Sequence, residues 1–285
     1  MISVKKKIVS FGEVLWDVFP DGKALGGAPL NFAYYAAKLG QDAAIISAVG
    51  NDELGAETLE KIKESGVNAD CVGVLGGFPT GVSLVKKGAD GLPEYEIKEN
   101  AAWDNIPCAA PAMRAAAGAD AFAFGTLSRR SGVSRETFEK IAAAVPQTCL
   151  KVFDANLRQN FYGKDLLRRS LDFCDVLKIN ETELPVLAEM FAPDSPDPAK
   201  SIAHIFNLRH LVLTLGERGF RIIYNGGEFV GKSDKIKVVD TVGAGDSFTA
   251  AFTVAILLGK GVPEAAREAK SLAQKVCSGR GAMCL

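Results

Sequence analysis

The sequence predicts an α/β fold: a largely parallel sheet with helices on both faces and a small β lid attached. Three observations predict it. Six short runs, KIVSFG, AAIISAVG, DAFAFG, LKVFDAN, DVLKIN and HLVLTLG, are apolar almost throughout rather than alternating, the pattern of strands covered on both faces. Segments with helical apolar spacing separate most of them, as in repeated β–α units. One stretch, 71–104, has no helical period and alternates instead.

Along the chain, the first strand is 7–12, and helical spacing over 30–39 stops at Gly40. A second strand, 43–50, leads into a helix over 53–65 closed by Gly66. The stretch 71–104 holds the alternating runs VSLV and YEIK around a glycine-rich turn, GADG (88–91). It reads as an antiparallel excursion: either a lid, joined by parts of 13–27, or an edge hairpin of the main sheet. The α/β rhythm resumes with strands at 120–125, 150–156, 175–180 and 210–216, and helices over 134–144 and 164–173. APDSPDP (192–198) reads as a surface loop between helices, and two further helices close the chain, from Asp246 to 258 and over 263–278. The expectation is a single domain, 1–285, with the lid inserted in it.

Composition removes several functions. The 33 Lys+Arg are matched by 34 Asp+Glu, so no basic nucleic-acid footprint exists. The most apolar run, 248–258, is too short to span a bilayer, and the start lacks the apolar core of a signal peptide. A cytoplasmic protein with neither a nucleic-acid nor a membrane partner is expected. Six cysteines without CxxC spacing read as free thiols, and two histidines without HExxH exclude a His-based triad or metal site. Carboxylates, lysines and backbone groups are left to carry chemistry.

The stretch VVDTVGAGDSFTAAF (238–252) places Gly243, Ala244 and Gly245 before Asp246 at the mouth of an apolar helix. Amides at a helix start are unsatisfied and carry partial positive charge, and small residues let a phosphate approach the backbone. An acid in that turn repels a resting anion but suits the removal of a proton from an attacking hydroxyl. A plain N-cap is the alternative. No GxxxxGK[ST] occurs, and GAGDSF departs from GxGxxG at its last position, which disfavours a dehydrogenase.

Three other stretches carry polar groups where ligands collect. In 11–40, Asp17 precedes Gly26-Gly27, and a helix with Asn31 follows. A carboxylate and an amide beside a glycine pair can hold sugar hydroxyls, or the glycines are only a turn. KINETEL sets Asn180 and Glu183 one helical turn apart past a strand end, suited to Mg²⁺ or to a capping box. TLGERGF sets Gly216 and Gly219 in a loop that either passes a nucleotide or turns a hairpin into FRIIY.

Together these residues resemble the ribokinase-like (PfkB) family of carbohydrate kinases over essentially the whole chain. DTVGAGD (240–246) matches the family's D-T-x-G-A-G-D signature, GGAPLN (26–31) its Gly-Gly…Asn signature, NETE (180–183) its N-x-x-E element and TLGERG (214–219) its T-x-G-x-x-G loop. The resemblance implies Asp246 as the base, with Gly243, Ala244 and Gly245 as the anion hole for the γ-phosphate. It implies Asp17, Gly27 and Asn31 as sugar ligands, with Arg158 facing substrate or phosphate. Asn180 and Glu183 would organise Mg²⁺ and phosphates through water, and Thr214, Gly216 and Gly219 would line the nucleotide. A monovalent cation, K⁺, would use Asp240, Val242 and the Gly281 region. ATP and Mg²⁺ are the implied cofactors, a small sugar the substrate, and a homodimer through the lid the implied assembly. GEVLWD, FGTLSRR, DANLR and ENAAWDNI are most similar to bacterial fructokinases. Rival readings are another acceptor (ribose, 2-keto-3-deoxygluconate or a nucleoside) and a non-catalytic sensor, which would have no need of Asp246.

Overall fold

The structure, a computed structural model, describes residues 4–87 and 93–285. In chain order its elements are β1 (Lys7–Phe11), β2 (Leu15–Phe19), β3 (Gly22–Gly26), α1 (Ala28–Lys38), β4 (Asp42–Gly50), α2 (Glu53–Glu64), β5 (Val72–Leu75), β6 (Gly81–Lys87) and β7 (Pro93–Ile97). There follow α3 (Ala110–Ala117), β8 (Ala121–Phe124), α4 (Gly132–Ala144), β9 (Leu150–Asp154), α5 (Lys164–Phe173), β10 (Val176–Asn180), α6 (Glu183–Phe191) and α7 (Pro198–Ile205). Then come β11 (His210–Thr214), β12 (Phe220–Tyr224), β13 (Gly227–Gly231), α8 (Ala244–Leu257) and α9 (Val262–Cys277).

The large sheet has the order β13-β12-β11-β10-β9-β8-β1-β4-β5. From β11 to β5 every neighbouring pair is parallel, and β12 and β13 add an antiparallel edge. All six expected strands lie in the parallel part. The chain leaves β1 toward β4 on one side and later returns to β8 on the other. That reversal opens a crevice at the carboxyl ends of β1 and β8.

Two apolar cores fill the two faces. One packs Phe11, Phe122, Phe124, Phe138 and Phe153 with residues of α3 through α7, and the other packs Ile8, Ile45, Tyr35 and Phe252 with α1, α2, α8 and α9. The strands alternate between these cores, so both faces need apolar side chains, and continuous runs result.

The alternating stretch divides. Residues 72–75 form β5, parallel to β4 at the edge of the large sheet, and Ala102–Asn105 form a buried 3-10 turn. Only β6 and β7 join β2 and β3 in a separate sheet of order β3-β2-β6-β7. The separate sheet therefore takes less of the chain than 71–104, because Val72 and its neighbours find a free parallel edge beside Ser47–Gly50. The GADG turn lies outside the described residues.

The small sheet is tied down at named points. Trp16 Nε1 on β2 donates to Thr58 Oγ1 on α2 at 2.8 Å. Asp52 caps α2 through Gly55 N (2.7 Å) and also accepts from the amide and hydroxyl of Thr80 (2.8 and 2.6 Å). After β8, the Arg130 guanidinium lies between the rings of Trp103 and Phe161 (4.2 and 4.5 Å to the centroids) and grips Asp104 with two bonds of 2.8 Å. Among the described residues no helix is long and apolar enough to cross a membrane.

Candidate active site

Helix α8 begins at Ala244, two residues before the expected start, and Asp246 is the third residue of its first turn. Gly243 is the N-cap at φ 80°, where a Cβ would also lie 2.6 Å from the Ala282 carbonyl oxygen, so only glycine fits. The expected trio of amides is modified. Ala244 N donates back to Thr241 O at 3.2 Å, so the amides left open at this helix start, among the described residues, are those of Gly243, Gly245 and Asp246.

Asp246 meets the first turn of α1. Asn31 Nδ2 donates to Asp246 Oδ2 at 2.7 Å, across 215 positions of sequence. Pro29 opens α1 next to its N-cap Gly27, whose φ of 111° and close approach to the Glu13 carbonyl oxygen (2.4 Å from a Cβ placed there) exclude a side chain. Asp17 lies on β2 with Oδ2 3.3 Å from the point a Cβ on Gly26 would occupy. Asp17, Gly27 and Asn31 are thus gathered on the same side of the crevice as Asp246.

Arg158 follows β9 in the loop DANLR and shares this space. Its charge acts on Glu13, Asp17, Asp246 and Tyr95 of the small sheet alike. Burial raises the Asp17 carboxyl to about 6, and Arg158 opposes that rise. Burial, then the neighbouring Asp154, raises Asp246 to about 6, while Lys178, Asn31 and Arg158 oppose. An acid held near 6 is ionised at neutral pH yet basic enough to accept a proton.

Two groups at the site were not among the expected ligands. Lys178 stands inside β10 with its side chain 7% exposed, pairs with Asp154 Oδ1 at 3.1 Å, and brings Nζ within 3.1 Å of where a Gly245 Cβ would lie. Asp154, Glu183 and Asp246 surround that ammonium and keep it charged despite burial. Asp154 Oδ2 also accepts from Thr249 Oγ1 on α8 at 3.1 Å. Glu13, in the loop after β1, is 2% exposed and raised by burial to about 7. A lysine within an apolar strand run, and an acid between Gly12 and Val14-Leu15-Trp16, were the available signals.

On the far side, Asn180 and Glu183 form the reciprocal pair of a capping box. Asn180 Oδ1 accepts from Glu183 N (2.9 Å), and Glu183 Oε2 accepts from Asn180 N (2.9 Å). Glu183 Oε1 accepts from Leu157 N at 2.9 Å, and the residue is 3% exposed. Both of its oxygens serve the backbone of two loops, as the capping-box alternative requires. Thr214 stands beside Asn180 in register, and Gly216 (φ 56°) beside Glu181. Gly219 (φ 105°) lies where a Cβ would fall 2.0 Å from Gly231 O, so the approach of the chain before β12 to the end of β13 requires glycine there.

Asp240 joins the last expected group. Its carboxylate accepts from Val242 N (3.0 Å) and Gly281 N (2.9 Å), fastening the loop before α8 to the segment after α9.

Known proteins share this fold. The uncharacterized sugar kinase PH1459 from Pyrococcus horikoshii, solved in complex with ATP, superposes with a TM-score of 0.84 at 28% identity, over 97% of this chain and 94% of that one. A fructokinase from Vibrio cholerae O395 superposes at 0.83 with 20% identity, over 98% and 95%. The fold is that of the ribokinase-like sugar kinases. In sequence, Fructokinase-2 of Solanum habrochaites is 31% identical over 271 residues, 88% of this chain and 81% of its own. The pattern of the pfkB family carbohydrate kinases matches residues 2–284, and the chain belongs to that family.

Proposed function

We propose that the protein transfers the γ-phosphoryl group of ATP to a sugar hydroxyl, converting fructose to fructose 6-phosphate. The observation that carries this reading is the 2.7 Å bond between Asn31 and Asp246, which joins the polyol-binding helix start to the acid beside the open amides. In the proposed reaction the sugar oxygen attacks the γ-phosphorus, its proton passes to Asp246, and the bond to the ADP oxygen breaks. Open amides of Gly243, Gly245 and Asp246, with the Lys178 ammonium beneath Gly245, stabilise charge on the transferring group. Asp17, Gly27 and Asn31 hold the sugar, with Arg158 over it. Asn180, Thr214, Gly216 and Gly219 line the nucleotide, and Glu183 holds the loop that carries Leu157 and Arg158. The small sheet closes over the acceptor and excludes water, which otherwise competes for the phosphoryl group.

Mg²⁺ accompanies the nucleotide in this reading and neutralises phosphate charge. Among the described residues no three His, Cys, Asp or Glu side chains are grouped to hold an ion alone. A nucleotide-borne ion needs only one or two carboxylates, and Asp154, with a side chain 16% exposed, fits that requirement. For K⁺, the segments joined by Asp240 offer carbonyls of the 240–242 and 281–282 loops.

Arg158 favours a second reading, an acceptor bearing a carboxylate such as 2-keto-3-deoxygluconate. ADP release is measured with fructose, ribose, glucose, 2-keto-3-deoxygluconate and adenosine against a blank without acceptor. Stimulation by fructose alone is expected. Stimulation by the keto acid alone would assign Arg158 to its carboxylate and replace fructose, and no stimulation by any acceptor would refute the kinase on these substrates.

A further inference from the structure

Glu13 is a buried carboxyl group that the reaction above does not use. It stands where β1 ends at the crevice, 2% exposed, and its Oε2 has no hydrogen-bond partner. A second buried oxygen in the crevice, Asn31 Oδ1, has no donor either, although Asn31 is 4% exposed and its Nδ2 is committed to Asp246. A buried acceptor without a donor is costly, and these two lie on neighbouring elements of the crevice.

The two elements that carry these atoms are packed together. A Cβ on Gly12 would lie 2.5 Å from Pro29 Cγ in the first turn of α1, and one on Gly27 would lie 2.4 Å from the Glu13 carbonyl oxygen. Gly27 O in turn accepts from Asn31 N at 2.9 Å. The charged groups acting on Glu13 are Arg158 from the loop after β9, Asp246 from α8 and Arg130 from the segment after β8. Burial outweighs both arginines and pushes the carboxyl up to about 7. An ionised Glu13 would be a second buried anion beside Asp246 and could only accept. A neutral carboxylic acid has one O–H to donate, and a donor is what Asn31 Oδ1 lacks.

We propose that the Glu13 carboxyl donates a hydrogen bond to Asn31 Oδ1 and thereby holds the Asn31 amide on Asp246. Glu13 is then a positioning residue: Glu13 fixes Asn31, and Asn31 fixes the base. The inference rests on Asp246 being the group that accepts the acceptor's proton, and it adds the element that orients it. It also explains why the loop and the helix start are brought together through two glycines with no room for a side chain.

The test uses the whole enzyme and the best acceptor from the panel. Glu13→Leu removes the donor and lowers kcat about tenfold, the effect of one lost buried hydrogen bond. Glu13→Gln retains a donor and restores kcat to within about threefold of wild type. In an Asn31→Ala background Glu13→Leu has no further effect, since the two act as one unit. Equal damage from Leu and Gln, or losses that multiply with Asn31→Ala, would overturn the proposal. Where Glu13→Leu does not fold, infrared difference spectra of wild type against Glu13→Gln at pH 6 decide: a protonated-carboxyl band lost in the variant supports the donor, and its absence overturns it. Asp246→Asn assayed beside them separates the failures, because near-normal turnover in that variant refutes the base and not the Glu13–Asn31 bond.

Discussion

Replacing Lys178 with methionine removes the ammonium buried among Asp154, Glu183 and Asp246, and the consequence can be worked through. Lys178 pairs with Asp154 at 3.1 Å, with side chains 7% and 16% exposed. Breaking a buried pair costs about 3–5 kcal/mol when the remaining charge is stranded, less here because Thr249 Oγ1 still donates to Asp154. The effect on Asp246 is more informative. Its carboxyl lies at about 6, with Lys178 the foremost group favouring ionisation. At an effective dielectric of about 20, a unit charge at about 4–8 Å contributes about 2–4 kcal/mol, and one pKa unit is about 1.4 kcal/mol. Removing the ammonium therefore raises Asp246 by at least about one unit, from about 6 to about 7 or above. A base must be deprotonated to act, so activity falls as pH falls through that value, and the acid limb moves upward in Lys178→Met. The assay is kcat/KM from pH 5 to pH 9 for wild type, Lys178→Met and Lys178→Arg, with urea unfolding to confirm folded protein. Arginine keeps the charge and the limb. An acid limb in folded Lys178→Met within about 0.3 unit of wild type would refute the electrostatic account.

Two further outcomes follow from particular residues. Asn31→Ala raises the sugar KM about tenfold while the ATP KM changes little, as expected for a lost polar contact on the acceptor side; a larger rise for ATP would show the subsites exchanged. His210 is 9% exposed and held at about 4 by burial, below its ordinary 6.5. The unfolded chain takes up a proton below 6.5 that the folded protein refuses, so this contribution is complete above 6.5 and is lost as pH falls toward 4, up to about 3 kcal/mol. His210→Leu flattens the fall of the urea midpoint between pH 6.5 and pH 4, and an unchanged slope would assign acid lability elsewhere.

Much of the fold was legible because burial on both faces leaves a plain mark. The parallel strands are runs such as AAIISAVG, and each expected strand agrees with the structure to within one or two residues at either end. Elements without that mark escaped. β13 is the exposed edge GEFVG, and α3, APAMRAAA, buries only Ala112 and Ala116, too small to give a clear helical period. α6 and α7, only 9 and 8 residues long and with Pro185 in the first turn of α6, are marked in the sequence only by the loop APDSPDP between them. Glycine-rich VGVL of β5 has no helical period that sets it apart from the excursion, and its pairing with β4 depends on tertiary position.

The candidate site had marks in the sequence where Gly27, Asn31, Gly243 and Asp246 come together, because backbone geometry and charge at a helix start constrain the residue type. It was less legible where one pattern serves two ends. Asn180 and Glu183 fit a cap and a phosphate site equally in sequence, and the cap is visible only in the structure, in two backbone bonds to the Glu183 carboxylate and one from Glu183 N to Asn180 Oδ1. Lys178 and Glu13 carry only weak local signals, a charge within an apolar run, because partners such as Asp154 and Asp246 lie 24 to more than 200 positions away.

The central claim is that Asp246 removes the proton from the acceptor hydroxyl. The direct measurement is acceptor-dependent ADP release by Asp246→Asn beside wild type, with acceptor and ATP binding followed by calorimetry. The account predicts binding within a few-fold of wild type and turnover lower by about 10²–10⁴. Turnover near wild type with binding intact would contradict it and leave Asp246 a helix-start residue held by Asn31.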